Sequence, residues 1–378
     1  MESSEWRPRP RRFGRRVSGA LAIALAAVMM VAIQPAGAHS NDRGPNRHKP
    51  APTVKVLQNE LSSPRGLDTL LGVPIIGQGA FGAPGPVVAA IPSRRGSFLV
   101  NLTEPIGLMD VAVGSWFSLW GLGSDQVLYR KTLWDSTFKP VANIAEYQKT
   151  DPDPTDTEQD PTESNPYAVA SLPNGDALVA DAANNDLLRV SPDGHIRTVA
   201  RFSTEMVSTD QVPPDPTAPL PPALPAEAVP TSIAVTPKGV LVGELKGFPF
   251  REGSSHIWLV NPNATNAVCS VDPAARKNCT EFASGFTGIQ DLAYNSRTRD
   301  LYVMQIAVGG VMAFEGGLDS GNVPPAVLLE VDRKGHRREI AAGQIFQPGG
   351  VAVAGQGHLF VTDGIIMGPG RLLDVSTR

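Results

Sequence analysis

Charge is scarce in this chain. Asp, Glu, Lys and Arg make up 19% of 378 residues, and Gly (37) and Pro (35) together are as numerous. That balance argues against long surface helices and coiled coils and favours many strands joined by turns. A basic surplus is also absent. The formal charge is −4, which argues against a strongly basic nucleic-acid surface, so no nucleic-acid partner is expected. Cysteine is limited to Cys269 and Cys279, with no C-x-x-C and no nearby His. A metal or redox site is therefore disfavoured, and a local disulfide closing one loop is expected. Hydrophobic residues still reach 42%, enough to fill a core, which excludes wholesale disorder.

Only one long apolar run exists, at residues 20–33. It is shorter than the roughly 20 residues a spanning helix needs. Arg7, Arg9, Arg11, Arg12, Arg15 and Arg16 precede it, and Pro35 and the small triplet Ala36-Gly37-Ala38 follow. This is the three-part order of a secretory signal peptide, with cleavage expected near Ala38. Twin-arginine and general export both fit the arginine pairs. The reading is thus a signal peptide at 1–38, a disordered polar lead-in at 39–53, and one domain at 54–378. Past Ala38 there remain 27 basic and 35 acidic residues, a formal −8. The mature protein is expected to be exported, extracellular or in the periplasm or cell envelope. It is expected to be a monomer without a transmembrane segment.

A pattern recurs along that domain: Pro or Thr with a small residue, alternating apolar residues, a Gly turn, then an apolar strand closed by a polar residue. The clearest copy starts at Asn165-Pro166-Tyr167, turns at Pro173-Asn174-Gly175 and runs on to Asp181; two further strands flank Pro192-Asp193-Gly194. Asn-Gly and Asp-Gly turns between alternating runs are strong hairpin signals. Other copies start at Pro230, Thr287 and Pro348, and weaker ones at Pro64 and Pro105. Six starts, each opening a four-stranded unit, predict an all-β, six-bladed β-propeller of the NHL-like kind. Residues 54–57 are expected to pair with 372–375 as the outer strand of the last blade, removing an open edge. Residues 151–163, with six acidic side chains, and 213–230, with eight prolines, are expected to be surface loops.

The wording of these blades resembles one family. It is carried by Ser164-Asn165-Pro166-Tyr167 with Val179-Ala180-Asp181-Ala182 and Asn184, by Val242-Gly243-Glu244-Leu245-Lys246-Gly247-Phe248-Pro249-Phe250, by Gly285-Phe286-Thr287 with Asp291-Leu292-Ala293, and by Pro348-Gly349-Gly350-Val351-Ala352 with Val361-Thr362-Asp363. Together these resemble the ScyD/ScyE family, exported propellers related to NHL-repeat proteins, whose namesakes belong to a scytonemin biosynthesis cluster. The resemblance covers residues 54–378 and implies fold and export; it implies no particular reaction.

Motifs for catalysis are few. Gly77-Gln78-Gly79-Ala80-Phe81-Gly82 fits G-x-G-x-x-G, but Pro84-Gly85-Pro86 follows where a dinucleotide site needs a helix. No G-x-S-x-G, H-E-x-x-H or P-loop occurs. His195, His336 and His358 sit at turns, and neighbours such as Ser255 and His256 on a strand point to opposite faces. Asp151, Asp153 and Asp156 fail the EF-hand spacing.

The repeat itself creates the candidate site. It places Asp181, Glu244, Gln305 and Asp363 at matching strand ends, with Asn165, Asn184 and Asp291 near them, and Phe248 and Phe250 in a loop beside Glu244. Such a ring is expected to bind a polar small molecule, or Ca²⁺ with Asp181 and Glu244 as ligands. Polar strand ends also serve simply to satisfy backbone groups. No catalytic residue stands out, and the lack of a well-placed His favours a binding or scaffold module for a small molecule or a protein partner on the channel face. The alternative is a metal-assisted hydrolase or lactonase using the same carboxylates.

Overall fold

The computed structural model describes residues 52–93, 96–132, 134–355 and 357–377. The signal peptide and most of the lead-in read from the sequence lie outside the described residues. Among the described residues no helix is long and apolar enough to cross a membrane.

Alternating strands and tight turns build six antiparallel sheets. Blade 1 comprises Leu67–Leu70, Val73–Ile76, Val88–Ser93 and Gly96–Asn101. Blade 2 comprises Leu108–Val113, Ser118–Gly123, Val127–Thr132 and Lys139–Asn143. Blade 3 holds Pro166–Ser171, Ala177–Asp181, Asp186–Val190 and Ile196–Phe202; blade 4 holds Pro230–Thr236, Gly239–Glu244, Ser255–Val260 and Cys279–Phe286. Blade 5 is Ile289–Asn295, Asp300–Gln305, Val327–Val331 and Arg337–Ile340. The turn at Pro173-Asn174-Gly175 shows why these hairpins form: Gly175 adopts φ +95°, open to glycine at little cost, and its N–H reaches the Leu172 carbonyl at 2.9 Å.

Blade 6 takes three strands from the C-terminal end, Pro348–Gly355, His358–Asp363 and Gly370–Ser376, and its outer strand, Val54–Leu61, from the start of the domain. The expected pairing of 54–57 with 372–375 is present, with Val54 opposite Val375, and the strand runs on past it to place Leu61 opposite Gly370. The first strand of every blade lies against the first strands of both neighbours, and the ring closes between blades 6 and 1. The chain is a six-bladed β-propeller.

The apolar core is divided among the blade interfaces. Trp120 and Leu122 of blade 2 meet Val179 and Leu188 of blade 3, for example. At the closing interface Leu67, Ile76 and Val88 meet Ala352, Phe360 and Leu372. Blades approach too closely for side chains at two places on the axis. A Cβ on Gly66 would stand 2.8 Å from the Asp110 Cα, and one on Gly350 would stand 2.8 Å from the Leu67 Cβ.

Several elements were not anticipated, among them the short helix Ile144–Gln148 that follows blade 2. Glu205–Ser208 and Ala223–Ala226 form a hairpin at the ends of the proline-rich connection. Gly310–Ser320 is a helix despite its glycines, because Val311 and Phe314 bury against Leu245 and Phe250. Ala267–Cys269 adds in parallel to the edge of the outer strand of blade 3. Cys269 and Cys279 are disulfide-bonded, so this added strand is tied to the outer strand of blade 4. The bond thereby covers one sheet edge and joins two blades. A Cys269→Ala/Cys279→Ala variant is expected to lose about 2–3 kcal/mol of stability, measured by chemical denaturation, since the bond closes a loop of about ten residues.

Candidate ligand site on the propeller axis

The strand-end residues occupy equivalent places, and each is held by hydrogen bonds at its own strand end rather than by the others. Asp181 accepts from Ser164 Oγ at 2.7 Å, the Asn165 N–H at 2.7 Å and Gln148 Nε2 at 3.1 Å. Asn184 donates to the carbonyls of Pro161 and Glu163, holding down the acidic loop. Gln305 accepts from the Thr287 N–H at 2.7 Å. Asp363 accepts from Arg371 Nε at 2.8 Å and the Phe346 N–H at 3.1 Å. Glu244 receives Trp258 Nε1 and pairs with Lys246 at 2.9 Å. Lys246 also reaches Glu205 at 3.0 Å, and Glu205 meets His256 Nε2 at 3.3 Å. Phe248 is exposed and meets Phe250 edge-on at 5.8 Å, while Phe250 packs toward the helix of blade 5. Among the described residues no three His, Cys, Asp or Glu side chains stand together in a way that could hold a metal ion.

A different set of residues converges on the axis. The inner strands enclose a cavity of about 560 Å³. Its lining includes residues at the turns between first and second strands, such as Ser171, Thr298 and Gly357, so it opens on that side. The residues Asp181, Glu244, Gln305 and Asp363 end the second strands on the opposite side. Asp68, Asp110 and Asp291 face the cavity.

Each of these carboxylates clips its own blade to the next. Asp68 accepts from the Val113 N–H at 2.7 Å, Asp110 from Val169 at 2.8 Å, and Asp291 from Val351 at 2.7 Å. The other oxygen of each accepts the N–H of the following residue on its own strand. Local sequence puts them there. Inner strands of blades 2 and 5 carry a bulge at Met109 and Gln290, which re-aims the next residue, Asp110 or Asp291.

The far end of the cavity is stoppered by Arg65. Its guanidinium lies 3.5 Å over the Tyr167 ring, and Nη1 donates to the Met109 and Tyr167 carbonyls at 2.8 and 2.7 Å. Gln290 Nε2 donates to the Tyr167 hydroxyl at 2.9 Å. Nε of Arg65 is buried without a hydrogen-bond partner. Burial pushes the Asp68 carboxyl up to about 6, against the two N–H groups that hold it. Burial likewise brings Asp110 to about 6, although Arg65 opposes it. Asp291 reaches about 7 through burial and the like charge of Asp110.

Of this set the sequence reading named only Asp291. The signal was available: an Asp inside an otherwise apolar, inward strand, in Gly66-Leu67-Asp68, Gly107-Leu108-Met109-Asp110 and Gly288-Ile289-Gln290-Asp291.

No protein-family model and no curated protein matches this sequence. Solved structures do resemble it. One is a glucose dehydrogenase, 14% identical with a TM-score of 0.53, over 86% of this chain and 99% of that one. Another is a putative oxidoreductase (glucose dehydrogenase) from Thermus thermophilus, 17% identical with a TM-score of 0.50, over 86% of this chain and all of that one. At such identities the likeness shows the propeller fold alone.

Raised carboxylate pKa values fix the sign of a pH effect. These groups favour the folded state below about pH 4, and that contribution is lost as pH rises through about 6 to 7. Asp291→Asn loses one of the two N–H acceptors at every pH, but its effect on stability is expected to be about 1–2 kcal/mol more favourable at pH 8 than at pH 4.5, cavity water softening the full effect. Melting temperature against pH for both proteins measures this.

Proposed function

We propose that this chain is an exported propeller of the ScyD/ScyE type that acts as a binding module, holding a small molecule in its axial cavity. The observation that carries the reading is the axial cavity of about 560 Å³, open at the face of the first hairpin turns, with carboxylates toward its closed end and inner strands along its walls. That size and lining suit a small-ligand site. The disulfide is compatible with an oxidising, extracytoplasmic location, and the three-part N-terminus supports export. The resemblance in wording supports the ScyD/ScyE assignment, with the string ending Gly247-Phe248-Pro249-Phe250 as its most specific part. On the opposite face, where a protein partner would dock, Asn165 and Phe248 are exposed and Phe250 is half-buried, while Asp181, Asn184, Glu244, Gln305 and Asp363 are buried and hold the strand ends beneath it.

Metal-assisted hydrolysis is the weaker reading, because Glu244 is already committed to Lys246 and Trp258. Native mass spectrometry of the secreted chain is expected to show a non-covalent small-molecule mass that is lost in Ser171→Trp, which narrows the cavity mouth. Absence of any such mass, together with calcium-dependent lactone or ester hydrolysis abolished by Glu244→Gln, would overturn the binding reading in favour of the hydrolase.

A further inference from the structure

We propose that the axial cavity takes a small organic cation, an amine whose ammonium group is drawn by the carboxylates of Asp68, Asp110 and Asp291 and hydrogen-bonds to one of them. The inference rests on the small-molecule reading above and names the chemistry of that molecule.

Charge balance at the closed end carries it. Three carboxylates meet one guanidinium. Arg65 acts on Asp110 and Asp291, whereas Asp68 has no cation among the groups that influence it. With all three ionised, two negative charges remain uncompensated in a site walled by protein. Such charge is costly until a proton or a cation arrives. The carboxylates also keep spare acceptor capacity. Each oxygen accepts a single backbone N–H, and a carboxylate offers about four acceptor positions. An ammonium brings three donors.

Alternatives fit less well. An anionic ligand meets like charge. A neutral alcohol leaves the excess charge in place. A bare divalent ion needs ligands that converge, and no three acidic or His groups among the described residues do so. Val111, Val169, Leu292 and Val351 are buried in the blade interfaces, which leaves polar inner-strand backbone along the walls beside the carboxylates.

Hexylammonium and hexan-1-ol form a probe pair of similar size and different charge. Titration calorimetry of the full secreted chain, freed of any co-purified molecule by dialysis at pH 5, would compare them at pH 5.5 and pH 8. The ionisable groups facing the cavity are Asp68, Asp110, Asp291 and Tyr294, with Arg65 at its closed end and Arg297 at its mouth. Since the carboxylates must be ionised, hexylammonium is expected to bind at least tenfold more tightly at pH 8 than at pH 5.5. At pH 8 it should also bind at least tenfold more tightly than hexan-1-ol. Asp68→Asn, which keeps the shape of the side chain, should weaken it at least fivefold while the melting transition stays cooperative.

Equal, pH-independent affinities for the two probes would overturn the cation assignment and leave the cavity a site for neutral molecules. No heat with hexylammonium at pH 8 would overturn it as well, and the mass-spectrometric result would then decide the wider reading separately. The wild-type pH profile keeps the test decisive even if Asp68→Asn fails to fold.

Discussion

Everything in this molecule depends on closing the ring. A row of blades buries its apolar faces only where two sheets meet, and the last sheet would otherwise leave both a bare face and an open edge. Strand Val54–Leu61 completes blade 6 by pairing with Gly370–Ser376, so the beginning and the end of the domain lie in one sheet. The interface of Leu67, Ile76 and Val88 with Ala352, Phe360 and Leu372 exists only in the closed ring. Closure also brings Gly350 against Leu67 and the Arg65 carbonyl, which is why that place cannot accept a Cβ without movement.

The same closure makes the axial chemistry unusual. An aspartate on an open sheet would be hydrated and ionised. Asp68, Asp110 and Asp291 instead face a walled cavity while each clips one blade to the next through a backbone N–H. Structural and binding roles are therefore not separable on this axis. The clips fix the orientation of the carboxylates, and the cavity walls limit the solvent that stabilises their charge. Arg65 sets the polarity of the arrangement. Stacked on Tyr167 and bonded to two carbonyls, it stoppers one end and leaves entry from the face of the first hairpin turns.

Much of the fold was legible in the sequence, because a repeat states its own period. The strands starting at Pro166, Pro230 and Pro348, and the closing strand, stand where the Pro/Gly–alternation–Gly order puts them. What escaped were elements that tertiary packing creates. The hairpin of Glu205–Ser208 and Ala223–Ala226 flanks a proline-rich tract, and the helix Gly310–Ser320 contains three glycines, so local propensity argues against both. Strand Ala267–Cys269 has only three residues and needs the edge of blade 3 to exist. The candidate site was legible in part. Repeat alignment located Asp181, Glu244, Gln305 and Asp363 at equivalent strand ends, but alignment cannot say whether equivalent side chains converge or turn to their own blades. Asp68 and Asp110 needed a different question: why an acid stands within an inward-facing apolar strand.

A crystal structure of the secreted protein, grown near pH 7.5, tests the central claim most directly. The account predicts ordered density in the axial cavity, from a bound molecule or from water, within hydrogen-bond distance of Asp68, Asp110 and Asp291, with Arg65 stacked on Tyr167. A cavity filled by repacked side chains, or carboxylates turned away from the axis, would contradict it.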